Sequence, residues 1–177
     1  MIYEQLSIAL PFQERVKNAR NLFQKFGRDL LEHSALQPLA GQLKEATRIS
    51  GEEMAQTGIV EICRRCDQLE GGSCCGAGLE NRYDGWLLLI NLLLGANIPR
   101  ERYDRKSCFF LGEKGCRLIS RHVICINYLC EKITRRIPPM NLKTMREMEG
   151  KELEILFLLN ETLRAVMKTD LVKWSSR

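Results

Sequence analysis

Eight cysteines are the residues of this 177-residue chain whose type and spacing can do chemistry. Clustered thiols in a reducing compartment bind metal ions more often than they form disulfides. The two-residue gap of Cys63-Arg-Arg-Cys66 suits a turn that directs both sulfurs to one ion. The sequence therefore predicts a metal site. Its candidate ligands are Cys63, Cys66, Cys74, Cys75, Cys108, Cys116, Cys125 and Cys130.

The identity of the metal follows less directly, because zinc and iron-sulfur clusters both favour thiolate ligands. The closely spaced cysteine run of bacterial ferredoxins and the plant-type spacing are both absent. We therefore expect zinc as the cofactor, with iron or an iron-sulfur cluster as the alternative. Four nearby arginines are candidates to offset the negative charge of a four-thiolate site. These are Arg64, Arg65, Arg117 and Arg121.

The spacing of the later cysteines indicates more than one centre or an irregular backbone. Cys125 and Cys130 are five residues apart, which on a helix separates them by about 140°. Adjacent Cys74 and Cys75 diverge if the backbone there is extended. In a hairpin turning at residues 112–115, Cys108 and Cys116 occupy opposite faces. The number of ions and the cysteines that share each centre stay open.

Between residues 63 and 130 the chain resembles a family. Cys63-x2-Cys66, the Cys74-Cys75 pair and the segment CFFLGEKGCRLISRHVICINYLC at 108–130 are similar to YkgJ-type cysteine-cluster proteins, the zinc- or iron-chelating CxxxCxxCC family. The resemblance implies metal binding without an assigned reaction. The chain departs from the family pattern in having seven residues between Cys66 and Cys74. It also has His122 in place of a proline, which makes His122 a further candidate ligand.

Three functions are compatible with this cluster. The first is a non-catalytic metal-binding protein, because a saturated four-thiolate site has no open position for substrate. The second is an iron-sulfur or metal-dependent enzyme, redox or lysine N-methylating, because flagellin lysine N-methylases have a similar cluster. The third is a thiol redox sensor, in which Arg64 and Arg65 lower the pKa of a nearby cysteine. The chain has two histidines and neither a P-loop nor a Rossmann fingerprint, so whether it is an enzyme stays open.

The remaining sequence predicts the helices that position the cysteines. Apolar stripes at helical spacing predict helices near 11–33, 38–57, 82–95 and 141–170. The pattern Ser50-Gly-Glu-Glu53 resembles a capping box, which suggests that the second helix stops there and a third runs toward Cys63. Ser120 is expected to cap a short helix that carries Cys125 and ends near Cys130. The expected fold class is mainly α, a bundle of about four main helices with a metal-stapled cysteine-rich segment and a small hairpin.

Length and composition predict one domain over residues 1–177. Its parts are the N-terminal helices at 1–62, the cysteine-cluster segment at 63–130 and the long C-terminal helix at 131–177. The net charge of +5 comes from 27 basic and 22 acidic residues that are interleaved, which argues against nucleic acid as a partner. No signal peptide or membrane span is apparent, so we expect a cytoplasmic protein without membrane contact. The exposed faces of the first and last helices are candidates for a homodimer or a protein partner.

Overall fold

The computed structural model describes residues 2–70 and 74–175. It is mainly helical, which confirms the fold class at that level. Strands β1 (Leu111–Gly112) and β2 (Gly115–Cys116) form one antiparallel pair, and a short 3-10 turn at Leu79–Arg82 precedes the fifth helix. The helices are α1 (Ile2–Gln5), α2 (Phe12–Glu32), α3 (Gln37–Gln56), α4 (Ile59–Leu69), α5 (Gly85–Leu93), α6 (Val123–Asn127), α7 (Glu131–Thr134) and α8 (Pro139–Ser175).

The four main helices predicted from apolar periodicity correspond to α2, α3, α5 and α8. The predicted break at Ser50 is wrong, because α3 continues to Gln56. Ser50 is buried there and its hydroxyl donates to Thr47 O at 3.3 Å, so it faces the interior and not a helix start. The chain breaks at Gly58 instead, whose φ of 81° favours glycine, and α4 then carries the first two cysteines.

Two helix pairs build the core, since α2 packs against α5 and α3 packs against α8. Helix α5 is almost wholly buried. Asp84, the residue before it, caps its start, because the Asp84 carboxylate accepts the Leu87 N–H at 2.8 Å. Phe12 of α2 contacts the rings of Phe109 and Phe110 at 5.0 and 5.6 Å between centroids. The segment before the hairpin is thereby anchored to the core. Within the described ranges 2–70 and 74–175, no helix has the length and apolar character needed to cross a membrane.

The cysteine-rich half contains the predicted hairpin, with Leu111 opposite Cys116 and Gly112 opposite Gly115. Gly115 has a φ of 108°, which the tight turn requires. The predicted Ser120 cap is wrong. Helix α6 is capped by His122, whose Nδ1 accepts the Ile124 N–H at 3.1 Å.

The helix that carries Cys125 is also shorter than predicted. It ends at Asn127, and Cys130 stands at the start of α7 instead of the end of the same helix. The two cysteines are therefore on separate short helices, so their angular separation is not set by the period of one helix.

Candidate metal centre

The eight cysteines come from six places in the fold, and all eight are free thiols. Cys63 and Cys66 lie three residues apart on α4, so both face the same side of that helix. The Cys74-Cys75 pair follows α4 in the loop before the 3-10 turn. Cys108 is buried, Cys74 and Cys116 are exposed, and the other five are half-buried.

The first set of thiols, here called the Cys63 group, consists of Cys63, Cys66, Cys74 and Cys130. The pKa of Cys63 is raised to about 11, chiefly by burial and also by the negative charges of its three partners. Cys63 and Cys130 also pack against one small apolar cluster that includes Ile59 and Ile133. The α4 and α7 sides of this group are therefore held together by apolar contacts as well.

Lys132 provides a cation beside the Cys63 group. Its Nζ donates to Cys66 Sγ at 3.2 Å and to Glu70 Oε2 at 2.6 Å. These bonds raise the pKa of Lys132, which stays charged. Lys132 was missed in the sequence because its only signal is a position two residues after Cys130.

The second set, here called the Cys108 group, consists of Cys75, Cys108, Cys116 and Cys125. The pKa of Cys108 is raised to about 11, chiefly by burial, with the negative charges of Glu80, Cys116 and Cys125 adding to the rise. Burial also raises the pKa of Cys116, with Cys125 adding to it, although part of residue Cys116 is exposed to solvent. Cys108 N donates to Cys75 O at 2.6 Å, so backbone pairing brings two members of the group together.

The adjacent Cys74 and Cys75 join the two groups. A hydrogen bond between their thiols lowers the pKa of Cys74 to about 6 and raises that of Cys75. The pKa of Cys75 is raised further by Cys116 and Cys125, whereas Cys74 acts on Cys63. Consecutive residues therefore contribute to different groups.

Tyr83 is a buried contact of the Cys108 group that sequence reasoning missed. It is 1% exposed, its hydroxyl lies 3.5 Å from Cys125 Sγ, and it accepts the His122 N–H at 3.0 Å. Burial raises the pKa of Tyr83, so the phenol stays protonated. Its sequence signal was weak, because one tyrosine beside an apolar helix reads as core packing.

His122 serves as a helix cap in this arrangement. Its Nδ1 accepts the Ile124 N–H, and its ring lies 5.5 Å from that of Tyr83. Burial lowers the pKa of His122, which favours the neutral ring. A neutral ring that accepts at Nδ1 carries its proton on Nε2, so neither nitrogen presents a free lone pair.

The arginines that the sequence placed near the cysteines have different environments. Arg121 lowers the pKa of Cys63 and of Cys116, so its charge reaches both thiol groups. Arg64 pairs with Glu61 on α4. Arg65 Nε lies 3.4 Å from a carboxylate oxygen of Glu70. The Arg117 side chain lies beside Gly112 of the hairpin.

In residues 2–70 and 74–175, no three or more cysteine, histidine, aspartate or glutamate side chains lie close enough together to hold a metal ion. What fits a metal is the chemistry of the donors. Each group contains four cysteines, the usual number of ligands for structural zinc and for iron-sulfur clusters, and their side chains would have to move closer together to bind an ion. Their mutual charge repulsion is the kind of interaction that a bound cation relieves.

No protein-family model, curated protein or solved structure matches this chain. The resemblance to YkgJ-type proteins therefore stays a prediction from the cysteine motifs.

Proposed function

We propose that this protein binds two metal ions, one through the Cys63 group and one through the Cys108 group, and that the metal is zinc. The observation that carries the proposal is the pattern of charge interactions. Burial and the charges of Cys74, Cys130 and Cys66 raise the pKa of Cys63. Burial and the charges of Glu80, Cys116 and Cys125 raise the pKa of Cys108.

Charge explains why such groups favour metal binding. Thiols with raised pKa values, such as Cys63 and Cys108, are protonated at neutral pH in the absence of a cation, and a metal ion displaces those protons as it binds. Cys74, whose pKa is lowered to about 6, is already mostly ionised. Four thiolates on one zinc ion leave a net charge of about -2. Arg121 and Lys132 are positioned to offset part of this charge, Arg121 for both groups and Lys132 at Cys66.

The proposed role of the metal is structural. Four protein ligands saturate zinc and leave no open coordination position, so such a site stabilises a fold and does not catalyse. Between α4 and α8, the residues that the structure describes form few long elements: α5, three short helical segments and a pair of two-residue strands. Ligands in α4, the following loop, the hairpin, α6 and the start of α7 would connect these pieces.

Metal analysis of protein purified without oxygen tests the identity of the metal. We expect a colourless protein with about two zinc ions per chain, because four thiolates saturate each ion. A brown protein with iron and sulfide in excess of zinc would overturn the zinc assignment. That result would favour the alternative, an iron-sulfur enzyme of the redox or lysine N-methylating kind.

The division into two groups is tested by one serine substitution in each. Cys130→Ser places serine, a residue that caps helices well, at the position before α7. Cys116→Ser changes an exposed position. Each variant is expected to retain about one zinc ion per chain, and the double variant none. Each single variant is thus the control for the other.

Far-UV circular dichroism establishes that the single variants remain helical. Folded single variants that each lose all of the metal would contradict two separate centres and indicate one shared centre. Folded single variants that each keep the full metal content would show that Cys130 and Cys116 are not ligands.

A further inference from the structure

A cavity of about 470 Å³ lies between α2, the end of α5 with the loop after it, and Arg117, the residue that follows strand β2. None of the eight cysteines lines it. Its polar lining is cationic, with three arginines and two amides but no carboxylate. This volume is in the range of small-molecule sites, which run from about 300 to 1,000 Å³. The polar lining residues are Arg20, Gln24, Asn97, Arg100 and Arg117.

Arg20 is fixed at the wall of the cavity by the backbone. One nitrogen, Nη2, donates to Ile98 O at 2.9 Å and to Pro99 O at 3.1 Å. These carbonyls orient the guanidinium without neutralising its charge. Arg20 is half-buried, so its charge is less screened by water than that of an exposed side chain.

Arg117 is held against the hairpin. A Cβ atom added at Gly112 would lie 2.5 Å from Arg117 Nε, so the glycine leaves the space that this side chain occupies. Arg117 and Arg100 are both exposed. Within the described residues, the guanidinium groups of Arg20, Arg100 and Arg117 form no ion pair with a carboxylate. Three positive charges thus converge without compensation by an acidic side chain.

Guanidinium groups bind phosphate oxygens through paired N–H donors, which makes arginine the preferred partner of this anion. The rest of the lining includes the apolar residues Leu92, Ala96 and Ile98. From this combination we propose that the cavity binds a small organic phosphate, with the phosphate on the arginines and the carbon skeleton beside these apolar residues. This proposal does not rest on the proposed metal centres, although Arg117 directly follows Cys116 in the chain.

Calorimetric titration of the metal-loaded protein with AMP and with inorganic phosphate tests the proposal. AMP is expected to bind saturably, more tightly than inorganic phosphate and more weakly as salt is added. The double variant Arg100→Gln/Arg117→Gln is expected to weaken AMP binding by about tenfold or more, since charge-assisted hydrogen bonds are lost. Gly112→Ala, which displaces Arg117 while keeping its charge, is expected to weaken it in the same direction.

Arg28→Gln is the control for a change of charge alone, because it removes one positive charge, against two in the double variant, from an exposed position of α2 outside the cavity. It should leave AMP affinity unchanged. The proposal is overturned if neither probe binds saturably, or if Arg28→Gln weakens binding as much as the double variant. Equal affinity for both probes would overturn the organic part and leave a site for inorganic phosphate. Unchanged metal content in every variant keeps these outcomes separate from the metal-binding proposal.

Discussion

The charge of Arg121 acts on residues of both thiol groups and on a buried carboxylate of α8. Its charge lowers the pKa of Cys63, Cys116 and the buried Glu149, and its Nη2 contacts Met54 Sδ at 3.3 Å. The two proposed zinc-thiolate centres would each carry about two negative charges, and a shared cation stabilises both. The arginine thus links the thiol groups to the buried carboxylates of α8.

Glu149 provides a pH-dependent test at the scale of one residue. Burial raises its pKa above 4.5 despite the opposing charges of Arg146 and Arg121, with Glu152 adding to the rise. A carboxyl with a raised folded pKa contributes stability that is present below its unfolded pKa and is lost as pH rises through the folded value. Glu149→Gln stays neutral, so we expect its stability relative to wild type to increase as pH rises from below 4.5 through the raised folded pKa of Glu149.

Urea unfolding of both proteins across this range measures that difference. Since both proteins carry the same thiols, pH-dependent metal release cancels in the comparison. Glu154→Gln, at an exposed position of the same helix, is the control for removing one carboxylate from α8. A Glu149→Gln difference that changes with pH no more than that of the control would show that burial does not perturb Glu149.

The sequence identified the candidate ligands by residue type but could not divide them between groups. The division depends on Cys75 pairing through the backbone with Cys108, a contact between residues far apart in the chain. The role of His122 was equally hidden, since a histidine beside cysteines suits a ligand as well as a cap. Only the conformation of residues 122–124 shows that its Nδ1 is already engaged.

At the scale of elements, apolar periodicity predicted α2, α3, α5 and α8 because each buries one face or most of its surface. Capping patterns predicted less well. Ser50 and Glu53 match a capping box, but the burial of Ser50 against α8 outweighs the local signal. Helix α4 begins after Gly58, which has a positive φ, and α6 begins after His122, whose side chain caps it. Neither the backbone angle nor the cap can be recognised from the residue type alone.

The close approach of α5 to the N-terminal segment gives a prediction at this scale. A Cβ atom at Gly85 would lie 2.7 Å from the Cα of Leu6, and Gly85 N donates to Leu6 O at 2.9 Å. Gly85→Ala must therefore push the buried Leu6 outward, which we expect to cost about 1–3 kcal/mol of unfolding free energy. Denaturant unfolding monitored by circular dichroism measures the change.

Gly41→Ala is the matched control, since Gly41 lies in α3 with open space where its Cβ would stand. This substitution should stabilise the protein by about 0.5–1 kcal/mol through helix propensity alone. Equal effects of the two substitutions would contradict the tight packing of α5 on Leu6.

At the scale of the whole molecule, the two thiol groups lie against different apolar clusters. Cys108 belongs to the large core, with Cys75 and Cys125 packed against it, whereas Cys63 and Cys130 pack against the smaller cluster. The large core joins α2, α5, α8 and the rings before the hairpin. A smaller cluster of Ile59, Ile133, Ile137 and Met145 supports α4 and α7. Short helices with a small apolar cluster bury too little surface to be stable alone, so metal binding should matter most there.

Hydrogen exchange after chelation under reducing conditions tests this division. We expect faster exchange in α4, α6, α7 and the hairpin, whereas α2 and α5 keep their protection because their mutual packing does not involve thiols. The Cys116→Ser/Cys130→Ser variant should show the same pattern without chelator and no further change when chelator is added. Loss of protection throughout α2 and α5 would mean that metal supports the entire fold. Unchanged exchange everywhere would instead mean that the thiols hold no structural metal, and the apolar clusters alone would then account for the positions of α4 and α7.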